Sequence, residues 1–296
     1  MNNTHVHRSG FVNIIGNPNV GKSTLMNALV GEKLSIVTSK AQTTRHRIMG
    51  IVNGDNYQIV YSDTPGILRP NYKLQEQMME VVETAIGDAD IILYVTDVVE
   101  SIDKNKTYIE KLQQIDSPIL LVINKIDLSN QEVLELMVEQ WRTLLPKAEI
   151  FPISALEKFN LNNVFSRIIA LLPPSPPWYD KDVFTDRNLR FFASEIIREK
   201  ILTLYSKEIP YATQVVINQF KESDQMYHIE AVIYVMRDSQ KGILIGAGGK
   251  MLKKVGTQAR IDMESFFDRK VFLQLFVKVA ADWREDKRKL KQFGYI

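Results

Sequence analysis

The octapeptide Gly16-Asn17-Pro18-Asn19-Val20-Gly21-Lys22-Ser23 fits G-x-x-x-x-G-K-[ST], follows an apolar run at 11–15 and precedes a helical pattern at 24–30. That context confines the chain, because a strand must deliver a glycine-rich turn to a helix N-terminus, as happens in α/β folds with a parallel sheet. Glycines let the backbone wrap an anion, and successive N–H groups at the helix start face it. Lys22 is expected to reach the β and γ oxygens of a nucleoside triphosphate, and the Ser23 hydroxyl to ligate Mg2+. The pattern leaves the base open.

The first 170 residues repeat this alternation. Further strands are expected at 47–53, 57–62, 90–96, 119–123 and 150–153, and helices at 74–85, 108–114, 132–145 and 163–172. Gly54-Asp55-Asn56 reads as a hairpin turn, so one antiparallel pair should interrupt a mostly parallel sheet with helices on both faces. Pro173-Pro174-Ser175-Pro176-Pro177 can continue neither helix nor strand and marks a domain boundary. Beyond it the order changes to α, β, β, α, α, β: a helix at 189–206, strands at 213–221 and 227–236, a glycine-rich turn at 246–249 between helical patterns, and a strand at 270–278. The expected division is 1–172, a proline-rich linker 173–188, a second domain 189–282 and a tail 283–296.

At 296 residues two domains are expected, and an apolar fraction of 45% with 24% charged residues excludes wholesale disorder and coiled coil. With no cysteine, a disulfide framework, a thiolate metal site and a cysteine nucleophile are excluded, and a reducing compartment is the natural home. The longest apolar runs are about five residues where a membrane span needs about 20. Residues 1–10 lack an apolar signal core, so a cytoplasmic location is expected. Residues 1–189 hold 18 basic against 22 acidic side chains and residues 190–296 hold 19 against 13, net −4 and +6. The split points to a polyanion bound by the second half, with solubility the alternative explanation. His5 and His7 precede the first strand without a third ligand and read as part of a disordered tail.

Asn124-Lys125-Ile126-Asp127 ends the strand at 119–123. A carboxylate there accepts hydrogen bonds from N1–H and the exocyclic amine of guanine, so Asp127 is expected to select GTP. Ser154-Ala155-Leu156 would offer a backbone N–H to the guanine oxygen. Asp63-Thr64-Pro65-Gly66 ends the third strand, where Asp63 can hold magnesium through water and the Gly66 N–H can meet the γ-phosphate. Gln42-Thr43-Thr44-Arg45 lies in a polar stretch expected to close a threonine hydroxyl on Mg2+. Thr44 is favoured, with Thr43 the alternative.

These motifs, with Lys40-Ala41-Gln42-Thr43-Thr44-Arg45-His46-Arg47, 193–200 and Ile245-Gly246-Ala247-Gly248-Gly249, occur in an order and spacing that resemble the Era family of GTPases, among the TrmE-Era-EngA-like proteins. The resemblance covers nearly the whole chain. It implies a P-loop GTPase domain followed by an α+β type II KH domain that binds small-subunit ribosomal RNA near its 3′ end and assists maturation of that subunit. It also implies peripheral association with the cytoplasmic membrane face. A monomer is expected. The alternative is a nucleotide-gated RNA-binding module with incidental hydrolysis.

Where Ras-like proteins place a water-orienting glutamine this chain has Ile67, which cannot hydrogen-bond water, so slow or assisted hydrolysis is expected. Lys22, Thr44, Gly66 and Asn19 are the candidate catalytic groups. In relatives an asparagine at the position of Asn19 is associated with a potassium ion; the alternative is that it stabilises the loop. The loop 246–249 is G-x-x-G, which lets a nucleic-acid phosphate approach bare backbone, with Ile243, Ile245 and Leu252 as an apolar floor. Lys250, Lys253 and Lys254 follow it, while the lysine that Era proteins commonly carry in the variable pair is replaced by Ala247 and Gly248. Residues 282–296 read as an amphipathic helix packing through Trp283, Leu290 and Phe293.

Overall fold

The computed structural model describes residues 6–296, without the side chains of 103 and 105. The chain sorts into two compact units, residues up to Arg69 with Met78–Asp186, and Pro70–Gln77 with Arg187–Ile296.

The first unit is built around β1 (Arg8–Gly16), followed by α1 (Lys22–Val30), β2 (Ile48–Asn53), β3 (Tyr57–Asp63), α2 (Lys73–Gly87, from Met78 onward in this unit), β4 (Ile91–Asp97) and α3 (Lys106–Gln113). Then come β5 (Ile119–Asn124), α4 (Gln131–Leu144), β6 (Glu149–Pro152) and α5 (Leu161–Leu171). The sheet order is β2-β3-β1-β4-β5-β6. All neighbours are parallel except β2 and β3, which form the expected hairpin. Every residue of β4 and of β5 is buried, as strands covered by helices on both faces must be. The functional loops leave the C-terminal ends of β1, β3, β4, β5 and β6, where ligands of open α/β sheets bind.

The proline-rich segment is extended, yet it is fastened to this unit. Ile51 N donates to Phe184 O at 2.9 Å, and Thr185 pairs with Gly50 across an isolated bridge. The buried Gln58 carboxamide accepts from Trp178 N and Tyr179 N at 2.7 and 3.0 Å and donates to Tyr179 O at 2.8 Å. The physical reason is the open edge of β2, whose backbone groups need partners. His7 belongs to the same strap: its Nδ1 donates to Ser175 O at 2.8 Å, which corrects the expectation of a disordered tail there. His5 lies outside the described residues.

The second unit contains α6 (Leu189–Leu204), α7 (Ile209–Ala212), β7 (Gln214–Glu222), β8 (Met226–Val235), α8 (Asp238–Ile245), α9 (Lys250–Phe267), β9 (Lys270–Val279) and α10 (Lys287–Gln292). β7 and β8 are antiparallel, β8 and β9 parallel. Ile197, Ile201, Ile233, Val255 and Met263 form part of the core between sheet and helices. The expected order holds, with the one-turn α7 added. The tail corrects its expectation, since only Lys287–Gln292 is helical. Asp286 caps that helix through Arg288 N, and Trp283 is buried ahead of it with Nε1 donating to Ala212 O at 2.9 Å. Leu290 is buried, and the Phe293 ring packs edge-on against Trp283.

Candidate functional site

β1 ends at Gly16 and α1 begins at Lys22, so residues 16–21 form the loop that sequence reasoning assigns to phosphate. Its neighbours press close. A side chain on Gly66 would come within 2.7 Å of the Pro18 backbone, and one on Gly21, at φ +94°, within 2.3 Å of Asn124 Nδ2. Glycine at 66 is therefore what lets the turn behind β3 touch the loop. α1 starts without a side-chain cap, leaving its first N–H groups for a ligand.

At the mouth of the loop Ser23 Oγ donates to Asp63 Oδ2 at 2.6 Å, and Thr44 Oγ1 lies 3.1 Å from the same oxygen and 3.0 Å from Ser23. Thr43 turns elsewhere, donating to Lys40 O at 2.6 Å. Burial raises the Asp63 carboxyl, opposed by the Lys22 ammonium and by the Ser23 and Thr44 hydroxyls. Burial lowers the Lys22 ammonium to about 8, opposed by Asp63 and Glu100. Asp63 Oδ1 is buried without a hydrogen-bond partner. An orphaned buried carboxylate oxygen beside two hydroxyls is a set of hard oxygen donors that fits Mg2+. A cleft of about 470 Å³ opens here, lined by Asn19, Lys22, Ser23, Thr38, Gln42 and Gly66 among others.

The remaining residues of the turn behind β3 are fixed from within. Thr64 Oγ1 donates to Ile14 O at 2.7 Å, Pro65 is buried, and Ile67 N donates to Gly16 O at 3.0 Å. The Ile67 side chain is buried with the core, and the cleft is lined by Gly66 beside it.

Asn124 joins the base motif to the phosphate loop: its Nδ2 donates to Val20 O at 2.9 Å and its Oδ1 accepts from Ala155 N at 2.9 Å. Ile126 N donates to Ile153 O, which aligns the ends of β5 and β6. Lys125, at φ +62°, sends Nζ to Asn19 O at 2.7 Å and to Asp97 Oδ2 at 2.5 Å. Asp127 is exposed. The backbone donors at 154–156 are partly spoken for, because Ala155 N serves Asn124 and Ser154 N serves Phe159 O; Leu156 is exposed. Sequence reasoning missed Asp97, the last residue of β4, and Glu100, three residues beyond it. Glu100 Oε2 accepts from Asn17 Nδ2 at 2.6 Å. Their partners lie up to 83 residues away in the chain, and no motif spacing marks them.

In the second unit α8 and α9 meet at Gly246, Ala247, Gly248 and Gly249. Gly246, Gly248 and Gly249 have φ of +73°, +58° and +75°. Ala247 and Gly248 are exposed. Ile245 is half-buried and Ile243 is 51% exposed. α9 also begins without a side-chain cap. A groove of about 390 Å³ beside the loop is lined by Gly249, Leu252, Lys253, Arg260, Leu273 and Leu275. Arg260 and the two β9 leucines were not foreseen, since only the fold lays β9 against α9. Lys250 and Lys254 are exposed on the same helix.

The family profile described as 50S ribosome-binding GTPase matches residues 11–125, and that of the KH domain matches residues 208–284. GTPase Era of Staphylococcus haemolyticus (strain JCSC1435) is 46% identical over 292 residues, 98% of each chain. A crystal structure of Era in complex with MgGDPNP and nucleotides 1506–1542 of 16S ribosomal RNA superposes with a TM-score of 0.94 at 38% identity, covering 98% of this chain and 99% of that one. An Aquifex aeolicus Era variant bound to GDP and aluminium fluoride gives 0.93 at 38% identity, covering 97% and 99%. With a P-loop unit and a KH unit in the same order, matched from end to end at these identities, the chain belongs to the Era family of GTPases.

Proposed function

We propose that this chain binds GTP with Mg2+, hydrolyses it slowly, and binds small-subunit ribosomal RNA near its 3′ end to assist maturation of that subunit. The carrying observation is the convergence of Ser23, Thr44 and Asp63 within 3.1 Å at the mouth of a phosphate loop. In this reading Ser23 and Thr44 ligate magnesium directly and Asp63 through water, while the metal neutralises charge on the phosphates. Gly16, Asn17, Pro18, Asn19, Val20, Gly21, Lys22 and Ser23 cradle the phosphates. Gly66 offers its N–H to the γ-phosphate and Lys22 its ammonium. Asp127 reads guanine, flanked by Asn124, Lys125 and Ile126 and by Ser154, Ala155 and Leu156.

The relative crystallised with 16S ribosomal RNA, at 38% identity over nearly the full chain, supports the RNA assignment. Ile245, Gly246, Ala247, Gly248, Gly249, Lys250, Lys253 and Lys254 are its proposed contacts. We divide the chain as 1–172, 173–188, 189–282 and 283–296, and place it in the cytoplasm as a monomer with only peripheral membrane contact. No helix among the described residues is long and apolar enough to cross a membrane.

With Ile67 buried, the attacking water has no side chain there to orient it, so a potassium ion held by Asn19 is the proposed aid. Asn19 Nδ2 donates to Ser39 O at 3.0 Å, which turns the amide oxygen the other way. Equal turnover in potassium and sodium would remove this part. The burial of Ile67 also favours a second reading, a nucleotide-gated RNA binder with incidental hydrolysis. Turnover measured with and without RNA ending in the 3′ sequence of the small-subunit rRNA separates the two. Stimulation is expected, and its absence favours the binder.

A further inference from the structure

We propose that Glu100 is a positioning residue of the nucleotide site, holding the phosphate loop in place through Asn17; the inference rests on the GTPase reading above. Glu100 sits in the turn behind β4 with its side chain 8% exposed. Both carboxylate oxygens are engaged: Oε2 accepts from Asn17 Nδ2 at 2.6 Å and Oε1 from Thr96 Oγ1 at 2.8 Å. Asn17 is itself buried, and its carbonyl accepts from Lys22 Nζ at 2.8 Å. The residue that Glu100 grips is thus the one that seats the phosphate-binding lysine.

The turn is set for this task by Asp97, whose Oδ1 accepts from the backbone N of Val99 and of Glu100, each at 2.9 Å. Its Oδ2 takes Lys125 Nζ, which also reaches Asn19 O. One short turn therefore holds the loop at two points, directly at Asn17 and through Lys125 at Asn19. A simple ion pair does not account for Glu100. Lys104 Nζ lies 3.9 Å away on a side chain 55% exposed, where an ion pair contributes little, and the buried Lys22 ammonium feels the Glu100 charge while hydrogen-bonding to Asn17 O. Burial raises the Glu100 carboxyl, so keeping it there costs stability that its hydrogen bonds to Thr96 and Asn17 must offset.

The substitutions separate shape from charge. Glutamine can keep both contacts, because its amide oxygen can face Asn17 while its amide nitrogen donates to the Thr96 hydroxyl, which also accepts. Alanine can keep neither. In the intact chain, affinity for a fluorescent guanine nucleotide with Mg2+ should fall about tenfold or more in Glu100→Ala, as expected for a lost hydrogen bond to a charged group. It should stay within about twofold of wild type in Glu100→Gln, and Glu100→Ala should add less than about twofold to Asn17→Ala, since the hydrogen bond that reaches the phosphate loop, Asn17 to Glu100, is absent from both. RNA affinity, read on the same preparations, should not change.

Wild-type nucleotide affinity in folded Glu100→Ala would overturn the proposal. So would additive losses in the double variant, or a Glu100→Gln as weak as Glu100→Ala. Should Glu100→Ala fail to fold, Asn17→Ala breaks the same contact from the loop side, and wild-type affinity there overturns the proposal equally. A wild-type chain that binds no guanine nucleotide would instead defeat the GTPase reading beneath it, a result visible before any variant is made.

Discussion

Asp127 is exposed at the end of β5, with its neighbours Asn124 and Lys125 tied to the phosphate loop, so the carboxylate is presented by a braced strand end. Replacing it with Asn exchanges one acceptor for a donor against guanine, and a mispaired polar group of this kind costs a few kcal/mol. Asp127→Asn should lose GTP by about a hundredfold and gain xanthosine triphosphate, measured by competition against a labelled nucleotide; unchanged GTP affinity would refute the base assignment. Thr44 and Thr43 offer a sharper residue-scale contrast. Thr44→Ala should weaken magnesium-dependent GTP binding while sparing GDP more, whereas Thr43→Ala, whose hydroxyl serves Lys40 O, should leave the magnesium dependence near wild type. Titration of both variants with Mg2+ at fixed GTP decides it. At this scale the motif residues were legible because each chemistry needs its residue type at fixed spacing from a strand end. Asp97 and Glu100 were not, because their meaning lies in the partners Lys125 and Asn17, which only the sheet order β1-β4-β5 brings beside them.

The elements were legible for a related reason. β4 and β5 are buried along their whole length and read as apolar runs, 91–95 and 119–123, each closed by polar residues, while α4 and α5 carry one apolar face, so period and composition mark them. The tail misled: its alternating charges suggested a long amphipathic helix, but burial of Trp283 against Ala212 O ends the regular pattern and Asp286 restarts it. The glycine-rich loop between α8 and α9 invites the next prediction. Ala247 and Gly248 are exposed, a Cβ on Gly248 would meet nothing within 4 Å, and its φ of +58° is a left-handed conformation that Asp tolerates better than most side chains, so two aspartates there should cost about 1 kcal/mol locally and leave the fold intact. They would set two negative charges where a phosphate is proposed to lie, and like charges at contact distance cost several kcal/mol, a hundredfold or more in affinity. The Ala247→Asp, Gly248→Asp double variant should lose RNA and keep guanine nucleotide, read by fluorescence anisotropy at one stated salt concentration. Wild-type RNA affinity in the folded double variant would show that this loop is not the RNA contact.

Across the whole molecule, residues 173–188 read in sequence as a proline-rich linker, at the end of the net −4 stretch 1–189 and ahead of the net +6 stretch 190–296. In the structure it is a strap on the first unit, and the reason it was not legible is Gln58. In sequence this is a lone glutamine ahead of the apolar run Ile59-Val60-Tyr61 in β3, and no motif marks it. In the fold it is fully buried, and its carboxamide meets Trp178 N, Tyr179 N, Tyr179 O and Asn53 Oδ1. Gln58→Leu keeps the volume but strands two backbone N–H groups and a carbonyl, a loss of about 2–3 kcal/mol for the first unit. Denaturant unfolding should show that loss, and limited proteolysis should cut within 173–186 faster than in wild type. Guanine nucleotide affinity should stay near wild type, because none of these groups lines the cleft. RNA affinity should hold as well, since the glycine-rich loop and groove belong to the other unit. Cleavage no faster than wild type would mean that the bridge at Thr185 and the Phe184 contact hold the strap without Gln58, and a parallel loss of RNA affinity would mean that the strap does more than fasten to the first unit.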